Sequence, residues 1–179
     1  MRIFISASMI GIAIFFFSLT TSAKTSHEMA KASLHDTNGK AVGEAKFEEA
    51  NKGVKVSIAV TALPPGMHAV HIHESGKCEA PDFKSAGGHF NPTGKEHGHH
   101  NPKGWHAGDL PNLNVKQDGT GKASWLDADV TLKSDAPNSL FRAGGTSLVI
   151  HASKDDEVSD PVGNAGARIV CGVIEHTGR

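Results

Sequence analysis

The sequence predicts an all-β domain, eight short antiparallel strands folded as a sandwich or barrel and interrupted by two long loops. Val54, Val56, Ile58 and Val60 alternate with Lys55, Ser57 and Ala59, the period-2 pattern of a strand with one buried face. Helical periodicity appears nowhere with comparable clarity. Turn clusters such as Asp36-Thr-Asn-Gly39, Asn51-Lys-Gly53 and Asp118-Gly119 separate the apolar runs, in a chain that carries 20 glycines.

In chain order, the first element lies outside the domain. Residues 1–23 hold one charge, Arg2, then a nearly unbroken apolar run over 3–17, and end at Ala23. That is the pattern of a secretory signal peptide cleaved after Ala23. The alternative is an uncleaved anchor, although the run falls short of the ~20 residues a spanning helix needs. Cleavage leaves one domain, residues 24–179, long enough for a substantial core. It also removes Arg2 and no acid, so the formal charge moves from −1 to −2. Nothing in that balance points to a nucleic-acid partner.

Strands are expected at residues 30–35, 41–49, 54–60, 67–73, 113–117, 122–128, 146–152 and 167–174. The two long interruptions are residues 74–112, rich in Gly, Pro, Asn and His, and residues 153–166, rich in Asp and Gly. Loops of this length inside a compact domain are usually functional or disordered, and their histidines and expected disulfide favour function. The only two cysteines are Cys78 and Cys171. Export would place them in an oxidising compartment, where such a pair normally forms a disulfide. Metal-binding thiolates are the rival reading, but neither cysteine belongs to a CxxC or CxH spacing.

His71-Ile-His73 ends the fourth strand, and alternation sends both imidazoles to one face. His68 has the opposite parity and reads as structural. The loop that follows carries His89, His97, His106 and Asp109, three imidazoles and a carboxylate, the composition of a closed tetrahedral zinc shell. Pro and Gly between them make the backbone turn repeatedly, as convergence on one ion requires. His151 lies on a late strand. His99 and His100 read as solvated loop residues that assist metal capture at most, and His27, His35 and His176 receive no role.

Five motifs in the same order resemble those of the copper/zinc superoxide dismutases, the exported bacterial type above all. They are Gly66-Met-His-Ala-Val-His71-Ile-His73-Glu74, Gly87-Gly-His89-Phe-Asn-Pro92, His106-Ala-Gly-Asp109-Leu-Pro-Asn112, Val149-Ile-His151 and Gly163-Asn-Ala-Gly-Ala-Arg168-Ile-Val-Cys171-Gly-Val173. The resemblance implies a Greek-key barrel and dismutation of superoxide to oxygen and hydrogen peroxide. It also implies one copper ion on His71, His73, His89 and His151 and one zinc ion on His89, His97, His106 and Asp109, with His89 bridging. Arg168 is then the guide for the anion, and Cys78 pairs with Cys171. Asp155 links the two ligand sets, with adjacent Asp156 as its competitor for that place. The chemistry agrees: four imidazoles suit copper, and histidine with carboxylate suits zinc.

The resemblance further implies a periplasmic or otherwise exported enzyme, in contact with a membrane only if residues 1–23 are retained. A homodimer is compatible with it, although no strand face identifies an interface. Two other classes stand against it. A non-enzymatic copper-handling protein on the same fold would be favoured by a missing copper ligand, and none is missing. A zinc hydrolase would need a general base of the His-Glu-x-x-His kind, which the sequence lacks.

Overall fold

A computed structural model describes residues 28–178; the leading segment 1–23, its cleavage point and His27 lie outside them. Nine strands occur among the described residues: β1 (Met29–Asp36), β2 (Ala41–Ala50), β3 (Gly53–Val60), β4 (Gly66–His73), β5 (Asp109–Val115), β6 (Gly121–Asp127), β7 (Ser147–His151), β8 (Arg168–Val173) and β9 (Glu175–Gly178). A single 3-10 turn spans Lys84–Ala86.

Alternation builds the first strands. Val54, Val56, Ile58 and Val60 of β3 are buried while Lys55 and Ala59 face solvent, and β1 buries Ala30, Ala32 and Leu34 in the same rhythm. The turn between β1 and β2 closes where the Asp36 carboxylate accepts the Asn38 and Lys40 amides at 2.8 and 2.9 Å.

Pairing runs β1–β2–β3–β6–β5–β4–β7–β8 and returns to β1 through His35 and Asp36, so eight strands close a barrel in Greek-key order. β9 continues the line of β8 past Ile174 and pairs with the start of β1. Phe47, Leu34, Ile72, Leu113, Leu148 and Ile150 fill the interior with no solvent exposure. Each such side chain contributes about 1.5–3 kcal/mol on burial.

Three features differ from the expectation. β5 begins at Asp109, so Asp109–Asn112 belongs to the barrel wall rather than to the first long loop. β9 has no counterpart among the eight expected strands. A third irregular stretch, residues 128–146, adds to the two expected loops and caps the core with Val130, Leu132 and Leu140.

Candidate metal centre

His71 and His73 leave β4 on one face and are fully buried. The loop after β4 is pressed onto the same strand by a short ladder. Phe90 N–H donates to the Ile72 carbonyl at 2.8 Å, Ile72 N–H to Gly108 at 2.8 Å, and Gly108 N–H to Phe90 at 2.9 Å. That ladder sets His89 and Asp109 beside the two strand histidines. Only glycine fits at 108, because a Cβ there would stand 2.4 Å from the Ile72 carbonyl oxygen. β7 pairs with the other edge of β4 and delivers His151 at its last position.

Four imidazoles converge: His71, His73, His89 and His151 can point donor atoms to within 4.8 Å of one another. Each has one ring nitrogen facing the cluster without a hydrogen-bond partner, Nδ1 for His71 and Nε2 for the other three. The opposite nitrogen is anchored. His71 Nε2 lies 2.7 Å from the Asp155 carboxylate, His73 Nδ1 3.0 Å from the Gly87 carbonyl, His89 Nδ1 2.9 Å from Asp109 Oδ1, and His151 Nδ1 3.3 Å from the Gly166 carbonyl. Burial and the neighbouring imidazoles lower the pKa of His73 to about 2, of His89 to about 4 and of His151 to about 3, so these rings are neutral with bare nitrogens.

A second set surrounds Asp109. Its carboxylate lies 2.9 Å from His89 Nδ1, 3.0 Å from His97 Nδ1 and 3.3 Å from His106 Nδ1. His106 Nδ1 is also 3.3 Å from His89 Nδ1. A group of four whose donor atoms all lie within 4.8 Å of one another takes His71 with His89, His97 and Asp109. His71 Nε2 is committed to Asp155 and its Nδ1 faces the first set, while His106, which the resemblance assigns to zinc, stands outside that group. Asp109 Oδ2 additionally accepts the amides of His106 and Gly98 at 3.0 and 3.2 Å. Burial opposes its charge, but the hydrogen bonds from His106, His89 and His97 win and hold its pKa far below the carboxylate range. Burial likewise opposes a charged His97, yet Asp109 and Asp155 raise it to about 9. A cation at Nδ1 would replace that proton.

Asp155 rather than Asp156 joins the sets. Its two oxygens lie 2.7 Å from His71 Nε2 and 3.0 Å from His97 Nε2. Asp156 instead caps its own loop, accepting the Val158 and Ser159 amides. Asn112, to which sequence reasoning gave no role, holds Asp155 in place: its Oδ1 accepts the Asp155 amide at 2.7 Å and its Nδ2 donates to the Asp155 carbonyl at 3.0 Å. Its place in the third motif was the available signal.

Arg168, half-buried at the start of β8, donates Nη1 to the Phe83 carbonyl and Nη2 to the Gly87 carbonyl, both at 2.7 Å. Gly87 is the same carbonyl that anchors His73. The Cys78–Cys171 disulfide ties this loop to β8 three residues beyond Arg168. Beside Arg168 opens a cavity of about 490 Å³ that includes Thr37, Asp82 and Lys84. Several histidines stay outside the cluster. The His68 ring nitrogens lie 2.7 and 2.8 Å from the His151 and Pro64 carbonyls. His99 contacts the Asp109 carbonyl and lies tilted against Trp105, their ring centroids 5.1 Å apart, and His100 lies near Glu157.

Residues 41–174 match the family described as copper/zinc superoxide dismutase. Copper–zinc superoxide dismutase 2 of Aquifex aeolicus is 51% identical over 158 residues, covering 87% of this chain and 92% of that protein. A superoxide dismutase-like protein of Bacillus subtilis is 44% identical over 143 residues, 79% of this chain and 73% of that one. Among solved structures, a SOD-like protein from Bacillus subtilis superposes with a TM-score of 0.77 at 43% identity, covering 80% of this chain and 96% of that one. The Cu/Zn superoxide dismutase from Brucella abortus superposes with a TM-score of 0.66 at 30% identity, covering 83% and 100%.

Proposed function

The chain belongs to the copper/zinc superoxide dismutase family, and on that premise we propose that His71, His73, His89 and His151 hold its copper, and His89, His97, His106 and Asp109 its zinc. The protein dismutes superoxide to oxygen and hydrogen peroxide, using both metals. The observation that carries the ligand assignment is the set of buried, unpartnered nitrogens on His71, His73, His89 and His151, beside the imidazoles of His89, His97 and His106 gathered on the Asp109 carboxylate. Bare imidazole nitrogens in a closed interior cost free energy unless a cation takes their lone pairs.

When bound, copper supplies the one-electron exchange that lets one superoxide be oxidised and the next reduced, while zinc contributes fixed charge without redox change. The chain does the rest. Arg168 binds the anion: two of its donors are spent on Phe83 and Gly87, which fixes the guanidinium plane and leaves the remaining donors for the substrate. Lys84 lines the same cavity but is paired with Asp82 at 2.8 Å, which leaves Arg168 as the cation that meets the anion. His89 presents Nε2 to one set and Nδ1 to the other, and Nε2 is the atom that would take up one proton and hand it to the peroxide product, whose second proton comes from solvent. Asp155 fixes the rings of His71 and His97 through one carboxylate.

Superoxide decay in copper- and zinc-loaded protein tests the assignment. His73→Ala is expected to abolish turnover, and Arg168→Ala to lower kcat/KM at least tenfold with both metals retained. Full activity in His73→Ala would contradict the copper set; an unchanged rate in Arg168→Ala would remove the guidance role alone.

Export, with cleavage after Ala23 and a mature domain of residues 24–179 in the periplasm, completes the reading. The disulfide supports it, since such bonds persist in oxidising compartments. A periplasmic product whose mass matches residues 24–179 is the expected result, and a membrane-bound chain retaining residues 1–23 is the contrary one.

A further inference from the structure

We propose that the cleft between β5 and β6 is a binding site for an organic cation, a primary ammonium or a guanidinium group. β6 pairs with β3 at seven positions, but with β5 only at Val115 and Gly121 beside their hairpin. Beyond that pair the two strands diverge. A cavity of about 340 Å³ opens between them, lined by Trp105, Trp125, Leu126, Asp127, Asp129 and His99 among others.

Asp127 shares the parity of Trp125 on β6 and is only 7% exposed. Its Oδ1 accepts the Asp129 amide at 3.0 Å, whereas its Oδ2 has no partner. Asp129 Oδ2 is taken by the Trp105 indole N–H at 2.9 Å. Neither acid has an ion-pair partner among the described residues. Burial raises the Asp127 carboxyl to about 7, and Asp129 and Asp109 add to the rise, so the ionised form lacks a compensating charge.

Two indole walls around an uncompensated carboxylate suit a cation with an apolar stem. The Trp105 ring already carries one, the Lys95 ammonium 4.9 Å from its centroid. A metal ion fits less well. Among the described residues, converging sets of three or more His, Cys, Asp or Glu donors occur only in the histidine cluster.

The chain has two tryptophans and no tyrosine, so its intrinsic fluorescence comes from Trp105 and Trp125, both in this cavity. Metal-loaded protein at pH 8 is titrated with n-butylguanidinium and, separately, with neutral n-butylurea. The expected result is a saturable emission change with the cation and none with the urea. Asp127→Asn should weaken binding at least tenfold while copper content, zinc content and superoxide decay stay unchanged; Trp125→Leu, with Trp105 as the remaining reporter, should weaken it severalfold. A blocked arginine tripeptide separates the sources: tighter capture than of butylguanidinium assigns a protein side chain, equal or weaker capture a free small cation, and either supports the site. An equal response to butylurea, no saturable response, or wild-type affinity in folded Asp127→Asn would overturn it.

Discussion

His89 has its two ring nitrogens in different sets, and Asp155 has its two oxygens on different rings, so two residues couple everything else in the centre. The space around Asp155 is correspondingly tight. At Gly163, with φ +59, a Cβ would stand 2.6 Å from His97 Nε2 and collide with the Asp155 carboxylate. Gly163→Ala should therefore push Asp155 off the two rings and weaken zinc retention about 10–100-fold, the usual cost of losing a partner that orients metal ligands. Competition against a chromogenic chelator measures it, and unaltered zinc affinity would show that Asp155 does not orient the site. The histidines that converge were legible because histidines at strand parity and in Gly- and Pro-broken motifs have few other uses. Asp155 and Asp156 were indistinguishable in sequence, since adjacent residues in a loop have no parity to separate them; only the packing of that loop against Asn112 selects one.

Among the elements, the loop after β4 carries the most consequence, and the disulfide fastens it to β8. The carbonyls of Phe83 and Gly87 that fix Arg168 lie in the segment between Cys78 and the β4 ladder. Replacing Cys78 by Ser frees a closed loop with a sequence separation of 93. By the chain-entropy argument this costs about 4–5 kcal/mol, the range for a loop of this length. Denaturant unfolding should register that loss. The surviving folded, metal-loaded enzyme should show lower kcat/KM as Arg168 loses its fixed plane. Unchanged kcat/KM would mean that the loop does not position Arg168.

The strands were readable where one face meets water, as in β1 and β3, because burial then imposes alternation. β9 was not, since Glu-His-Thr-Gly alternates nothing, and residues 128–146 were not, because Val130, Leu132 and Leu140 reach the core from irregular backbone. The start of β5 was hidden by Asp109, whose carboxylate belongs to the centre, and by Pro111.

At the scale of the whole molecule, the long loops bury a set of neutral histidines against the outer face of the barrel, and this makes the metal-free fold sensitive to acid. His73, His89 and His151 have folded pKa values of about 2, 4 and 3 against 6.5 unfolded. Below pH 6.5 the unfolded chain binds the extra protons, so metal-free stability falls as pH drops, by up to about 1.4 kcal/mol per pH unit for each ring. His97 acts in the other direction. Its pKa is raised to about 9, so its contribution is present below 6.5 and is lost as pH rises through about 9. Thermal melts of the metal-free chain from pH 4 to pH 9.5 should therefore fall off at both ends, the acid side more steeply. A flat acid side would contradict the buried neutral rings.

The two proposed metal sites share one imidazole, that of His89. Copper and zinc content per chain, measured after loading and exhaustive dialysis in wild type and His89→Ala, tests that sharing most directly. One copper and one zinc are expected in wild type, and at least tenfold weaker retention of both in folded His89→Ala. A full complement of either metal in that variant would contradict the shared ligand.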